Sequence, residues 1–150
     1  MDTSLSGTEL AAAVADFLMA MPVVHLLGLR VLACTPGETR LELPVRHDLT
    51  FDGHTVQGGI VGALADFAGA SAAATVLPEG WVVMTTGFEV HNLAPARGER
   101  LLGIGTVIKP GRSFAVSRAD VFAVAGEERR LCATALVTTR GVERAPARTA

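Results

Sequence analysis

The sequence predicts an α+β domain in which an antiparallel sheet wraps one long central helix. Three observations predict it. Residues 56–76 form one helical run made almost entirely of Gly, Ala and medium-sized apolar side chains. Strand-like segments alone follow, between residues 82 and 139, joined by short turns marked by Gly and Pro. The chain has 150 residues, 49% hydrophobic and 19% charged, enough for one well-filled core and too few for two. A single domain is expected to span 1–150.

The elements follow in order. Residues 1–6 read as a flexible arm. Thr8 is the expected N-cap of a helix reaching about residue 21, with Glu9 in its first turn and Pro22 ending or bending it. Residues 26–34 are strand-like and TPGET (35–39) is a Pro-Gly turn. Arg40, Glu42 and Arg46 then alternate with Leu41, Leu43 and Val45, the period of a half-buried strand. A loop over 46–54 leads to the central helix. There Ile60, Leu64, Phe67 and Ser71 share one stripe, and small residues fill nearly every other side. Such a helix lets other backbones approach closely and is expected to be covered over most of its surface.

Four strands are expected after it, over 82–93, 100–108, 113–125 and 129–139. In the third, Ser113, Ala115, Ser117, Ala119 and Val121 share one face, and Phe114, Val116, Arg118, Asp120 and Phe122 the other. The short connections predict an antiparallel meander. Residues 141–150 show no periodicity and read as a flexible tail. A single sheet with an open face or edge commonly pairs with its own copy, so a homodimer or a dimer of dimers is expected.

Composition excludes several classes of partner. The formal net charge is −2, Tyr is absent and aromatic residues make up 5%, which argues against nucleic acid. The acidic, polar start MDTSLSGTEL is not a secretory signal. The low-charge run over 58–77 is rich in Ala and Gly and carries Asp66 at its middle. An Asp at the centre of a membrane helix costs about 2.5–3.5 kcal/mol, so no membrane span is expected. Cys34 and Cys132 lie far apart and form neither a disulfide framework nor a metal motif, which fits a reducing, cytoplasmic setting.

Asp66 is the residue that asks for an explanation. It stands inside HTVQGGIVGALADFAGASAAA (54–74), the smoothest apolar segment of the chain. An unpaired buried charge is costly, and an apolar site pushes a carboxyl pKa upward. The acid therefore faces water or faces something on which it acts. Other polar groupings have plainer readings. His47, Asp48, Asp52 and His54 lack ligand spacing for a metal and mark a polar loop. The G-x-G of GIGTVIKPG (103–111) lies in strand-like sequence with no helix after it, so it is no dinucleotide fingerprint. No G-x-S-x-G is present. Glu89, His91 and Asn92 read as the polar face of a strand.

The blocks QGGIVGALADFAGASA, TTGFEVHNLAPARGE and VIKPGRSF resemble the hotdog-fold acyl-CoA thioesterases of the phenylacetate-pathway (PaaI-type) group, in the 4-hydroxybenzoyl-CoA thioesterase-like superfamily. The likeness runs from about residue 22 to 140. It implies a hotdog fold and hydrolysis of an acyl- or aryl-CoA thioester, with coenzyme A part of the substrate and no metal or separate cofactor. It assigns Asp66 to the catalytic acid and Gly58, at the start of the central helix, to the N–H that polarises the thioester carbonyl. Thr85 falls where a hydroxyl positions the attacking water. Arg112 and Ser113 fall where coenzyme A phosphates are held. Gly59, Phe51 and His54 complete the residues expected around the substrate, and the site is expected to span two subunits. Two positions depart from the family pattern: Gln57 stands in place of a His and Phe51 in place of a carboxamide. Gln57 can still supply polar support.

The chemistry is consistent with these residue types. A carboxylate serves as base toward water or as nucleophile. The free N–H groups and dipole of a helix N-terminus favour a developing oxyanion. An apolar acyl pocket is suggested by Phe51, Phe67, Met84 and Phe88. Two rival readings remain at this stage: a hotdog dehydratase pairing His54 with Asp66, and a non-catalytic acyl-CoA binder.

Overall fold

A computed structural model of the chain describes residues 4–145. Two helices, α1 (Gly7–Met19) and α2 (Pro22–Leu27), precede a hairpin of β1 (Arg30–Thr35) and β2 (Glu38–Pro44). A 3₁₀ turn at His47–Leu49 leads to α3 (Gly58–Ala74). Then come β3 (Trp81–Asn92), β4 (Arg100–Lys109), β5 (Ala115–Ala125) and β6 (Glu128–Glu143). The six strands form one antiparallel sheet in the order β1-β2-β4-β5-β6-β3, with α3 packed on one face.

The N-terminal elements differ from expectation in ways that local chemistry explains. Ser6, not Thr8, caps α1: its hydroxyl accepts from the Glu9 N–H while the Glu9 carboxylate accepts from the Ser6 N–H. That reciprocal pair satisfies two end donors at once. Residues 26–27 are the last turn of α2 and not strand. Pro22 starts that helix where a missing N–H costs nothing, and Gly28 closes it at φ +73°. At the other end β6 continues through Glu143, so residues 141–143 are strand and not tail. Residues 1–3 and 146–150 lie outside the described residues.

The meander holds only for β4-β5-β6. β3 lies beyond β6, at the far edge, and the chain must cross two strands to reach β4. Residues 93–99 make that crossing along the end of the sheet. The Leu93 N–H donates to Cys132 O on β6, and the Glu99 N–H to Val124 O on β5. Three strand spacings amount to about 14 Å, within reach of seven extended residues. Turn length alone therefore does not separate this crossing from a wide hairpin.

α3 lies very close to the sheet because side chains are missing between them. A Cβ on Gly105 would run into the Ala68 carbonyl, and one on Gly103 would stand 2.9 Å from Leu64 Cγ. From the helix side, a Cβ on Gly69 would stand 2.7 Å from Val137. The glycines of the G-x-G at 103–105 thus make room for a helix. Thr39 of β2 pins the contact by donating its buried hydroxyl to Ala68 O at 2.7 Å. Val61, Ala65, Ala68 and Ala72 form the deepest face of α3. Ala63, Asp66, Phe67, Ala70 and Ala74, one turn around, stay half-open. Among the described residues no helix is long and apolar enough to cross a membrane.

Gly105→Ala is expected to cost at least about 3 kcal/mol of stability, because the obstacle is backbone that cannot rotate away. Gly37→Ala, in open space at φ +82°, should cost only about 1–2 kcal/mol from its backbone conformation. Urea denaturation of both variants measures the difference.

Candidate active site

Asp66 lies near the middle of α3, on the half-open stripe beside the edge strand β3. Its Oδ1 accepts a hydrogen bond from Thr85 Oγ1 at 2.7 Å. Thr85 reaches it because Thr85 pairs with buried Thr139 on β6, so its side chain points to the helix side of the sheet. Burial pushes the Asp66 carboxyl above its ordinary value, and the Thr85 hydroxyl partly opposes that by stabilising the ionised form. The sequence places an acid in an apolar helix; the fold adds the hydroxyl that orients it.

The N-terminus of α3 forms a second centre. Gln57 caps the helix, its Oε1 accepting from the Gly59 N–H at 2.6 Å. The Ile60 and Val61 N–H groups donate to Gln57 O. Gly59 therefore presents no free donor, and the carboxamide oxygen of Gln57 is committed to the cap. Among the described residues the Gly58 N–H has no acceptor. Gly58 lines a cavity of about 450 Å³ whose walls include Phe51, Val56, Val61 and Pro95. Phe51 stands 70% exposed at this cavity.

The loop before α3 is held by Asp52. Its carboxylate accepts the N–H groups of Thr55 and His54, then the Thr55 hydroxyl and Arg97 Nη2 at 3.2 Å. These hydrogen bonds, the Thr55 N–H foremost, hold the Asp52 carboxyl far below the usual range. The His47–His54 grouping is thus a loop organised around a carboxylate. His54 is exposed, and the partner of Asp66 is Thr85 and not His54.

Arg112 and Ser113 lie elsewhere. They sit exposed in the β4–β5 turn, where the Arg112 guanidinium stacks 5.2 Å from the centre of the Trp81 ring and Arg112 O accepts the Gly141 N–H. That is the end of the sheet next to Leu77, beyond the C-terminus of α3. Gly58 is at the opposite end. The structure therefore joins Asp66 to Thr85 and leaves Gly58 and Arg112 apart from each other within one chain.

The sequence places Asn92 on a polar strand face together with Glu89 and His91. Glu89 and His91 do lie on the outer face of the sheet, in a 2.7 Å pair. Asn92 lies on the inner face: it pairs with fully buried Ala133, and its Nδ2 reaches to 3.4 Å from the position a Cβ would take on Gly58. The parity of Phe88, Val90 and Asn92 is the sequence signal for this placement.

Comparison with known proteins agrees with the fold. The thioesterase superfamily model matches residues 53–140. A curated Halobacterium salinarum protein, whose esterase name is provisional, is 31% identical over 124 residues, covering 79% of this chain and 82% of that one. The crystal structure of a thioesterase family protein from Silicibacter pomeroyi superposes with a TM-score of 0.84 at 34% identity, over 89% of this chain and 98% of that one. Escherichia coli PaaI, from the phenylacetic acid degradation operon, shares the fold with a TM-score of 0.81 at 17% identity, over 93% and 98%. The sheet with its engulfed helix is the hotdog arrangement.

A carboxyl whose pKa is raised by folding stabilises the fold while protonated, below its ordinary value. That stability is lost as pH rises through the raised value. At pH 7 ionised Asp66 therefore weighs against the fold. Asp66→Asn is expected to melt at a higher temperature than the native protein at pH 7, with the gap closing as the pH falls below about 4. Thermal denaturation across that range checks it; a variant less stable than native at pH 7 would contradict the burial argument.

Proposed function

The chain belongs to the thioesterase superfamily, and from that membership we propose that it hydrolyses an acyl- or aryl-coenzyme A thioester to the free acid and coenzyme A. The observation that carries the proposal is the half-buried Asp66, raised in pKa and gripped by Thr85 on the open stripe of α3. A raised pKa makes the carboxylate a stronger base toward water. Thr85 occupies Oδ1, which leaves Oδ2 for the attacking water.

The Asp66 carboxylate takes a proton from that water as its oxygen bonds to the thioester carbon. The carbonyl oxygen becomes an oxyanion, and the unpaired Gly58 N–H donates to it. Collapse breaks the C–S bond, and the leaving thiolate takes the proton back from Asp66. Gln57 supports this by capping the helix. Arg112 and Ser113, exposed at the far turn, suit the coenzyme A phosphates.

Spacing along α3 determines where the two halves come from. Gly58 and Asp66 are eight residues apart, about 12 Å along a helix. A reacting carbonyl needs both within about 3 Å, so one chain does not assemble the site. A second copy does. β3 is a twelve-residue edge strand with Phe88 46% exposed on its helix side, beside the half-open Phe67 stripe. Such an edge is a template for pairing. Antiparallel pairing about an axis near Phe88 and Glu89 would bring the Asn92 end of one strand to Thr85 of the other. Each site would then hold Gly58 from one protomer and Asp66 from its partner.

Two results are expected. Asp66→Asn should lower thiol release from a panel of acetyl-, hexanoyl- and benzoyl-CoA by at least about 100-fold, while Thr85→Val should move the acid limb of kcat/KM to higher pH. Formation of an enoyl thioester from an added β-hydroxyacyl-CoA, with no thiol released from any member of the panel, would favour dehydratase chemistry instead. The second concerns assembly. Gly58→Pro removes the N–H at a helix position that accepts proline, after a Gln57 already at φ −63°, ψ 138°. Gly58→Pro and Asp66→Asn should each be inactive alone. Co-refolded, they should recover about a quarter of native activity, because half the dimers are mixed and each mixed dimer holds one intact site. No recovery would place both groups in one chain.

A further inference from the structure

We propose that Asn92 supplies a second donor to the thioester oxygen, so that the oxyanion is held by a backbone N–H from α3 and a side-chain carboxamide from β3. The inference rests on the thioesterase reading above and adds a residue to it.

The carboxamide is in the right place. Asn92 is the last residue of β3 and turns its side chain to the helix side, where Nδ2 stands 3.4 Å from a Cβ built on Gly58. A Cβ lies about 2.5 Å from its own nitrogen, so Nδ2 is within about 6 Å of the Gly58 N. Two donors that share one oxygen at about 2.9 Å each are at most about 5.8 Å apart. The two figures meet at the limit, and a small rotation of the Asn92 side chain toward Gly58 lets a single oxygen accept from both.

The carboxamide is also free. Three side chains with polar groups line the cavity at this helix end: Thr55, Asn92 and Arg97. Thr55 donates to Asp52 and accepts from Arg97 Nε at 2.6 Å. Arg97 spends its Nη2 on Asp52. The Gly59 N–H is taken by Gln57. Among the described residues, Asn92 makes no side-chain hydrogen bond, and neither does the Gly58 N–H. Asp52, Thr55 and Arg97 bond one another, and the Gly58 N–H and the Asn92 carboxamide stand next to each other. The rest of the wall, with Phe51, Val56, Val61 and Pro95, is apolar.

The placement explains one further detail. The bulge between Thr85 and Gly87 shifts the parity of β3. With it, both Thr85 and Asn92 face the helix although they are an odd number of residues apart. Without that shift only one of them would.

The test is the kinetics of thiol release from acetyl-, hexanoyl- and benzoyl-CoA by native protein, Asn92→Ala, Asn92→Asp and Asp66→Asn. Removal of one oxyanion donor costs about 100-fold or more in kcat. Asn92→Ala should show that loss with KM changed by less than about threefold, since the bond strengthens as the oxyanion forms. Asn92→Asp has the same shape but turns a carboxylate toward the oxyanion, and should be at least as impaired. A purely structural Asn92 would tolerate the isosteric Asp, so a fully active Asn92→Asp overturns the proposal, and it guards against an Asn92→Ala that fails to fold. An Asn92→Ala that keeps native kcat while Asp66→Asn is inactive overturns the Asn92 role and leaves the thioesterase reading standing. A native protein that releases no thiol from any of the three overturns both.

Discussion

Helix α3 can lie on this sheet only because almost nothing stands between them. Gly103 and Gly105 on β4 and Gly69 on the helix occupy positions where one extra carbon would meet Leu64, the Ala68 carbonyl or Val137. Alanines at 65, 68, 72 and 73 continue the same economy of volume. Glycine within a helix costs about 1 kcal/mol relative to alanine. The packing gained along the helix offsets that cost, and Thr39 fixes the depth with a buried hydrogen bond to Ala68 O. Ser117 and Thr139 belong to the same surface: both are buried under α3 with no protein partner for their hydroxyls, beside positions where space is limiting.

The site depends on that depth. With α3 seated close, Asp66 falls within hydrogen-bond reach of Thr85 and the helix N-terminus falls beside Asn92. Were the helix lifted by the thickness of a side chain, both relations would be lost together. A single packing constraint thus sets the acid and the donor end. It leaves them about two turns apart on the same helix, too far to act on one carbonyl. The same constraint holds the apolar Phe67 stripe half-open next to an unpaired edge strand. Those are the surfaces a second protomer would cover.

Polar groups around the helix N-terminus divide by function. Asp52, Thr55 and Arg97 bond one another and hold the loop in shape, while Gln57 caps the helix through the Gly59 N–H. Among the described residues, the Gly58 N–H and the exposed Asn92 carboxamide have no protein partner. The division separates groups that build the site from groups available to a ligand.

Much was legible in the sequence because it is local. The helix over 58–74, the alternation of β2 and β5 and the anomaly of Asp66 follow from periodicity and from the cost of burying charge. The motif likeness added Gly58 and Thr85 as candidates, and the hydroxyl–carboxylate contact between Thr85 and Asp66 is a geometry no spacing rule contains. Other features depend on distant parts of the chain. Residues 26–27 read as the start of a strand because they are apolar, and they are instead the end of α2, closed by Gly28 at φ +73°. The place of β3 at the far edge follows from the crossing over 93–99, and a seven-residue connection is as compatible with a hairpin as with a crossing. Asn92 looked like strand surface because its role is set by which strand lies under it and by a bulge six residues away. The sequence by itself determined which segments fold and which acid stands out in an apolar helix, since propensity and hydrophobicity act between near neighbours. Only the tertiary structure decided strand order, the free edge and the company each polar group keeps, since those depend on which segments meet in space.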